Sequence, residues 1–378
     1  MTIHRPTSLL RRALSGSAAA LLGLGLCLTT TTAAAHAGSN KRIQAQVHPG
    51  GATLRVEVDM VDAAVALGLG ASIEPDELRP HGVLIQRWLG RGLQVDSDSG
   101  LCTATATSPR LSNAGDSDDA SLVVTLDYAC PAPMGTVVLR DDTIFDEDPD
   151  HETFVSVIGA NGEAQARVLR ADDREIELHR TPSVTETAGG FLLEGGRHLV
   201  TGYDHMLFLL SLILAAGLLV RREGMRAALR DVAWVVTAFT LGHSVSLVAA
   251  ALGWVALPAR AVEIAIAGSI VLVALGNVAR PQASVARPWL AAVFGLVHGF
   301  GFSSVLAELG LPTTHRVLAL LSFNVGIEIA QLLLVAAVLV PLAHLARYDG
   351  YRRYVLQGAS LAIAACGGLW LVERSLGL

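Results

Sequence analysis

The sequence predicts a polytopic α-helical membrane bundle of about six spans, preceded by an exported, mainly-β, sandwich-like domain. Three observations predict it. Long uncharged apolar runs fill the chain from residue 195 to 378. Short alternating runs separated by Gly, Pro, Asn and Asp fill 38–194. The charges are split between these two blocks. Of 378 residues, 52% are hydrophobic and only 16% are charged, a low charge content for a soluble protein. Residues 38–197 carry 26 Asp/Glu against 13 Lys/Arg, whereas 198–378 carry 8 against 12. No basic stripe exists to neutralise phosphates, which excludes a nucleic-acid binder.

Residues 1–37 have the form of a secretory signal: Arg5, Arg11 and Arg12 ahead of an apolar stretch over 13–28, then Ala35-His36-Ala37 as an A-x-A cleavage site. A retained anchor is the alternative, and the shortness of the apolar stretch argues against it. In the exported domain, alternation predicts strands at 52–60, 121–129, 136–139, 153–158 and 164–169, with short helices at 62–69 and 75–89. Short strands with this punctuation predict an antiparallel sandwich. Cys102 and Cys130 both lie in this domain, and an oxidising compartment predicts a disulfide between them; two buried thiols are the alternative. The densest acidic run, Asp141 to Glu152, reads as a solvated turn or a weak collector of cations.

Six spans can be drawn, at 198–220, 232–254, 262–278, 289–309, 317–342 and 355–372. Their first, third and fifth joints carry Arg221, Arg222, Arg226, Arg230, Arg280, Arg287, Arg347, Arg352 and Arg353, while the second and fourth carry only Arg260 and Arg316. The positive-inside rule then puts the odd joints in the cytoplasm and the exported domain outside, in a bacterial inner membrane.

Ionisable groups inside such spans are costly unless something binds them. The first span opens with His198, Asp204 and His205, the two histidines seven residues apart and so on one helical face. The second holds His243 with Thr240 and Ser246 a turn to either side, the third opens with Glu263, and the fourth holds His298. The fifth places Asn324, Glu328 and Gln331 on one face. Imidazole suits nickel, cobalt, zinc and copper, and carboxylates add hard oxygens and charge. The expected ligands are therefore His198, Asp204, His205, His243, Glu263, His298 and Glu328, with Asn324 and Gln331 as supporting donors. Each residue alone also fits helix–helix hydrogen bonding, and Glu263 fits a water-facing end. Tyr203, Phe208 and Trp254 fit interface belts. Phe239-Thr-Leu-Gly-His243 also echoes Phe294-Gly-Leu-Val-His298, as duplicated transporter halves would.

His198-x5-Asp204-His205 with Gly202 inside it, Phe294-Gly-Leu-Val-His298-Gly-Phe-Gly, and Phe323-Asn324-Val-Gly-Ile-Glu328 together resemble the HupE/UreJ family. Its members are regarded as nickel or cobalt permeases, often linked to hydrogenase or urease, and the chain is similar to a longer branch with an exported domain. Leu199 stands where that family usually has proline, and Gly301-Phe302 where it usually has a second histidine. The resemblance implies transport of a divalent transition metal, with metalloenzyme maturation proteins as partners beside the lipid bilayer. An intramembrane zinc-dependent hydrolase, assisted by Ser244 or Asp204, and a non-transporting sensor or accessory protein are the other readings. No nucleotide-binding motif is present, so transport would run on a gradient or a partner.

Overall fold

The computed structural model describes residues 40–70, 79–112, 121–158, 164–178, 183–279, 288–301 and 313–376. The expected signal segment lies outside them. The chain forms two compact units and passes from one to the other between Ser183 and Val184.

The first unit is built on two sheets. Strands β1 (Asn40–His48), β2 (Gly51–Asp59), β5 (Thr103–Ala106), β6 (Arg110–Ser112), β7 (Ser121–Ala129), β9 (Glu152–Ile158) and β10 (Ala164–Leu169) form a seven-stranded sheet, with β6 beside β7 and the others in the order β10-β9-β1-β2-β7-β5. Strands β3 (Leu93–Ser97), β4 (Gly100–Leu101), β8 (Val137–Asp141) and β11 (Glu175–Glu177) form the second, in the order β11-β8-β3-β4. Among the described residues the unit also has helices α1 (Met60–Ala66) and α2 (Gly82–Gly92). Leu54, Val56 and Leu126 from one sheet share a core with Val95, Leu139 and Ile176 from the other. A tight turn at Pro49-Gly50 sets the β1–β2 register, His48 opposite Gly51. The expected strands appear as β2, β7, β8, β9 and β10. One pair departs from the antiparallel expectation: β1 runs parallel to β9. The long stretch of chain between them allows the crossover that parallel pairing requires. Cys102 and Cys130 form the expected disulfide.

β1 escapes sequence reading because its core-facing row begins with a lysine. Lys41, Ile43, Ala45 and Val47 alternate inward, and Lys41 is fully buried. Its Nζ lies 2.7 Å from Asp141 Oδ2, at the end of β8, so the ion pair ties one sheet to the other. Asp141 also accepts from Thr143 Oγ1 at 2.7 Å, the Thr143 N–H at 3.1 Å and Thr153 Oγ1 at 2.8 Å. Burial alone would raise its carboxyl, but Lys41 and these hydrogen bonds outweigh that and hold it below the usual range. Burial lowers the Lys41 ammonium, and Asp141 offsets this only in part. The acidic run is thus not simply a solvated turn. Asp141 belongs to the core, and Asp142 and Asp146 pair with Arg174 at 3.1 Å and 3.0 Å.

His151 is buried beside this pair, with its ring 5.6 Å from that of Phe145. Burial, reinforced by the Lys41 charge, lowers its pKa from 6.5 to about 3. Between these values the unfolded chain takes up a proton that the folded chain does not, so stability rises with pH across that window. The slope from this one group is at most ~1.4 kcal/mol per pH unit. Urea unfolding of the full-length protein followed from pH 6.5 down to pH 4 is expected to show stability falling, and His151→Gln is expected to flatten the fall. Equal slopes in the two proteins would refute this role.

The second unit consists of α3 (Val184–Thr201), α4 (Tyr203–Glu223), α5 (Met225–Ala251), α6 (Ala259–Ala279), α7 (Pro288–Gly301), α8 (Thr313–Leu345) and α9 (Gly358–Leu376), with a π-helical segment Tyr351–Gln357 leading into α9. Among the described residues, five helices are long and apolar enough to cross a membrane, and Pro288–Gly301 is a shorter apolar helix. The remainder of the expected fourth span, and its joint with Arg280 and Arg287, lie outside the described residues. Arg221 in the last turn of α4 meets Asp349, ahead of α9, at 3.0 Å. Arg260 at the start of α6 donates to the carbonyls of Arg374 and Ser375, at the end of α9. The first joint therefore lies on the same face as the fifth, and the second on the same face as the end of the last helix, as alternating spans require. Trp234, Trp254 and Trp289 project outward from the bundle, at more than three-fifths exposure each, as lipid-facing side chains do.

The expected first helix is broken at Gly202, which separates α3 from α4 with ψ 92°. A Cβ there would press on the His198 carbonyl oxygen and His205 Nδ1. Elsewhere, glycines bring whole helices together. A methyl at Gly295 of α7 would overlap the Phe239 carbonyl of α5, and one at Gly242 of α5 would overlap the Ala292 carbonyl of α7. The same reciprocal contact recurs between α3 and α8: Gly195 sits on the Phe323 carbonyl and Gly326 on the Leu192 carbonyl. Two small-residue interlocks of one kind, α5 with α7 and α3 with α8, therefore hold the bundle. The two segments that echo each other in sequence, 239–243 and 294–298, pack on each other as partners.

Gly295→Ala is expected to destabilise the solubilised protein by ~1–3 kcal/mol or more, as overpacking does. Gly268→Ala in α6, where a Cβ meets nothing within 4 Å, is expected to be neutral or stabilising by up to ~1 kcal/mol. Thermal melts in detergent that rank the two variants the other way would refute the interlock.

Candidate metal centre

Each glycine interlock carries a histidine three residues beyond a glycine: Gly195 and His198 on α3, Gly295 and His298 on α7. His243 follows Gly242 directly on α5, and His205 lies in the first turns of α4, just past the break at Gly202. The four rings converge. His205 is at the centre, with ring centroids 4.8 Å from His198, 6.0 Å from His243 and 5.1 Å from His298. Ligating atoms of His198, His205 and His243 all lie within 4.8 Å of one another. His205, His243 and His298 are buried and His198 partly so.

The local chemistry orients these rings. Breaking the helix at Gly202 frees N–H groups at the head of α4, and Asp204 Oδ1 accepts one of them, that of His205, at 2.8 Å. The same oxygen accepts from His205 Nδ1 at 2.9 Å. His298 Nδ1 lies 2.9 Å from the Phe294 carbonyl, which can only accept. His243 Nδ1 lies 3.1 Å from Asn324 Oδ1. The Asn324 amide nitrogen donates to the Leu320 carbonyl at 2.8 Å, which leaves its oxygen to face the imidazole. In all three rings the proton is therefore on Nδ1, and the Nε2 lone pair is presented. Those Nε2 atoms are buried, and none has a hydrogen-bond partner among the described residues. Such lone pairs cost free energy unless a hydrogen-bond donor or a Lewis acid takes them up. His198 lies in the last turn of α3, where the helix dipole favours positive charge.

The walls are aromatic. Phe208 and Phe239 lie 5.2 Å and 5.1 Å from His298, and Phe323 lies 5.4 Å from His198, between ring centroids. Phe208 is 2% exposed, so it lines the cluster and is not part of an interface belt. Tyr203 and Trp254 are exposed, in keeping with such belts. Phe208 faces inward because it lies three residues after His205, on the same helical stripe.

The carboxylates separate into different roles. Asp204 holds His205. Glu263 sits with Arg374: the guanidinium donates to the Glu263 carbonyl at 3.0 Å, and its Nε lies 3.9 Å from the carboxylate. Glu328 accepts from Thr237 Oγ1. Gln331 accepts from Thr240 Oγ1 at 2.9 Å. The Ser244 hydroxyl donates to the Thr240 carbonyl, within its own helix. Sequence reading singled out neither Thr237 nor the packing glycines 195, 242 and 295. The spacing of Thr237 and Thr240 beneath His243 was the available signal for the former.

The HupE / UreJ protein family description matches residues 173–374, more than half of the chain. The chain belongs to the HupE/UreJ family. The match spans α4 to α8, includes all of α3, and ends within α9, so every histidine of the cluster falls inside the HupE/UreJ region. A search of the curated proteins finds no match.

Proposed function

We propose that this HupE/UreJ protein binds a divalent transition-metal ion, nickel or cobalt, on the Nε2 atoms of His198, His205, His243 and His298, and carries it across the bilayer. One observation supports this above all: ligating atoms of His198, His205 and His243 lie within 4.8 Å of one another, and the Nε2 atoms of His205, His243 and His298 are buried without a donor among the described residues while each ring's Nδ1 faces an oxygen. That is the arrangement by which proteins orient imidazole ligands, with the outer partner setting tautomer and basicity. All-imidazole donors suit nickel, cobalt and zinc, whereas Cu(I) favours thiols and thioethers. Ligand nitrogens on one ion at ~2.1 Å lie closer together than the 4.8 Å span of the trio. Ion binding would therefore draw the rings inward. Asp204 would supply negative charge beside the ion and keep His205 in position. The β unit, with its acidic surface, would act as an extracytoplasmic collector.

Cobalt(II) titrated into the purified, detergent-solubilised protein is expected to give a visible ligand-field band, and reconstituted vesicles are expected to take up nickel or cobalt. His205→Ala and His243→Ala should each abolish both signals. Asp204→Asn should weaken binding ~10–100-fold, as loss of an outer partner does. A wild-type protein without a cobalt band, or alanine variants with undiminished uptake, would refute the proposal.

A further inference from the structure

The histidine cluster does not account for the polar seam between α5 and α8. His243–Asn324 is its first rung. Along α8, one turn and then nearly two turns beyond Asn324, come Glu328 and Gln331, with Cα atoms displaced ~6 Å and ~10 Å along the axis. Glu328 Oε1 accepts from Thr237 Oγ1 at 2.5 Å, and Gln331 Oε1 accepts from Thr240 Oγ1 at 2.9 Å. Two residues at i, i+3 on α5 thus meet two residues at i, i+3 on α8. Gln331 is 3% and Thr240 7% exposed. The second carboxylate oxygen of Glu328 is buried and has no hydrogen-bond partner, and no ion pair involves Glu328 among the described residues.

A charged carboxylate oxygen in that position, between apolar helices and with no donor among the described residues, is unfavourable, and a cation in the space it faces would relieve that cost. The two hydrogen-bonded pairs contribute a carboxylate, two hydroxyls and an amide carbonyl oxygen to the same pair of helix faces. We infer that Glu328, Thr237, Thr240 and Gln331 form a second cation site, separate from the histidines and built for a small hard cation. Oxygen ligands suit Mn²⁺ and Mg²⁺, and hold nickel or cobalt more loosely than imidazoles do. The inference rests on the transport reading only for its purpose: the second site would be the ion's next station, weak enough to release it, as conduction through successive sites requires.

The test uses Mn²⁺ alone, added to the full-length detergent-solubilised protein and read as loss of the free-ion signal by electron paramagnetic resonance. Wild type is expected to bind Mn²⁺. Glu328→Gln, which keeps an oxygen for Thr237 but removes the charge, should lose affinity at least tenfold. Thr237→Val should lose at least threefold, which keeps the test decisive if Glu328→Gln fails to fold. No Mn²⁺ binding by wild type, or equal binding by wild type and folded variants, would overturn the inference. The cobalt band decides the histidine site separately. A band without Mn²⁺ binding defeats only the second site, and Glu328-dependent Mn²⁺ binding without a band defeats only the first.

Discussion

The close approach of backbones at glycine is the constraint on which the rest of the helical unit depends. A methyl at Gly295 or Gly242 would strike a carbonyl of the facing helix, and so would one at Gly195 or Gly326. Glycine in a helix interior costs about 1 kcal/mol relative to alanine. In an apolar bundle that cost is offset by dispersion contacts between whole helices that cannot otherwise approach so closely. Because His198 and His298 each lie one turn past such a glycine, and His243 directly follows another, the interlocks bring the imidazoles together. The same contacts that stabilise the bundle set the distances at its centre.

A second constraint acts on the polar groups themselves. In a low-dielectric interior, an imidazole must satisfy both nitrogens or leave one exposed to cost. Here the Nδ1 atoms of three histidines are satisfied from three sources: a carboxylate, a side-chain amide and a backbone carbonyl. Gly202 makes the first of these possible. By breaking the helix it admits Asp204 to the free N–H of His205 and, through the same oxygen, to the ring. The β unit follows the same logic with a different result. There Lys41, Asp141, Thr143 and Thr153 satisfy one another, so the buried charge serves as a tie between sheets.

The division of the carboxylates follows from these neighbourhoods. Asp204 is committed to an imidazole, Glu263 to a guanidinium and Glu328 to a hydroxyl, with one Glu328 oxygen buried and unmatched. Three acidic residues in apolar helices, equivalent by composition, thereby acquire three chemistries. The seam from His243 through Asn324 to Glu328 and Gln331 joins the nitrogen-rich centre to the oxygen-rich one along a single pair of helices.

Much of this was determined by the sequence alone. Hydropathy sets the placement of the five candidate spans among the described residues, because a bilayer admits little else. Alternation sets β2, β7, β8, β9 and β10, compartment chemistry predicts the Cys102–Cys130 disulfide, and arginines at alternate joints pair the connections by face. The motif residues His198, Asp204, His205, His243 and His298 were all legible as candidates, since ionisable groups in apolar helices stand out by their cost. What the tertiary structure decided is what depends on neighbours distant in the chain. β1 was hidden because its core-facing Lys41 is acceptable only beside Asp141, a hundred residues away. The break at Gly202 was hidden because glycine is common in membrane helices, and only the crowding of His198 and His205 makes it necessary here. The partners of Glu263 and Glu328, Arg374 and Thr237, were hidden because shared helical faces say which residues point the same way, but not which helix stands opposite. That choice belongs to the glycine interlocks, whose contacts join helices far apart in the chain.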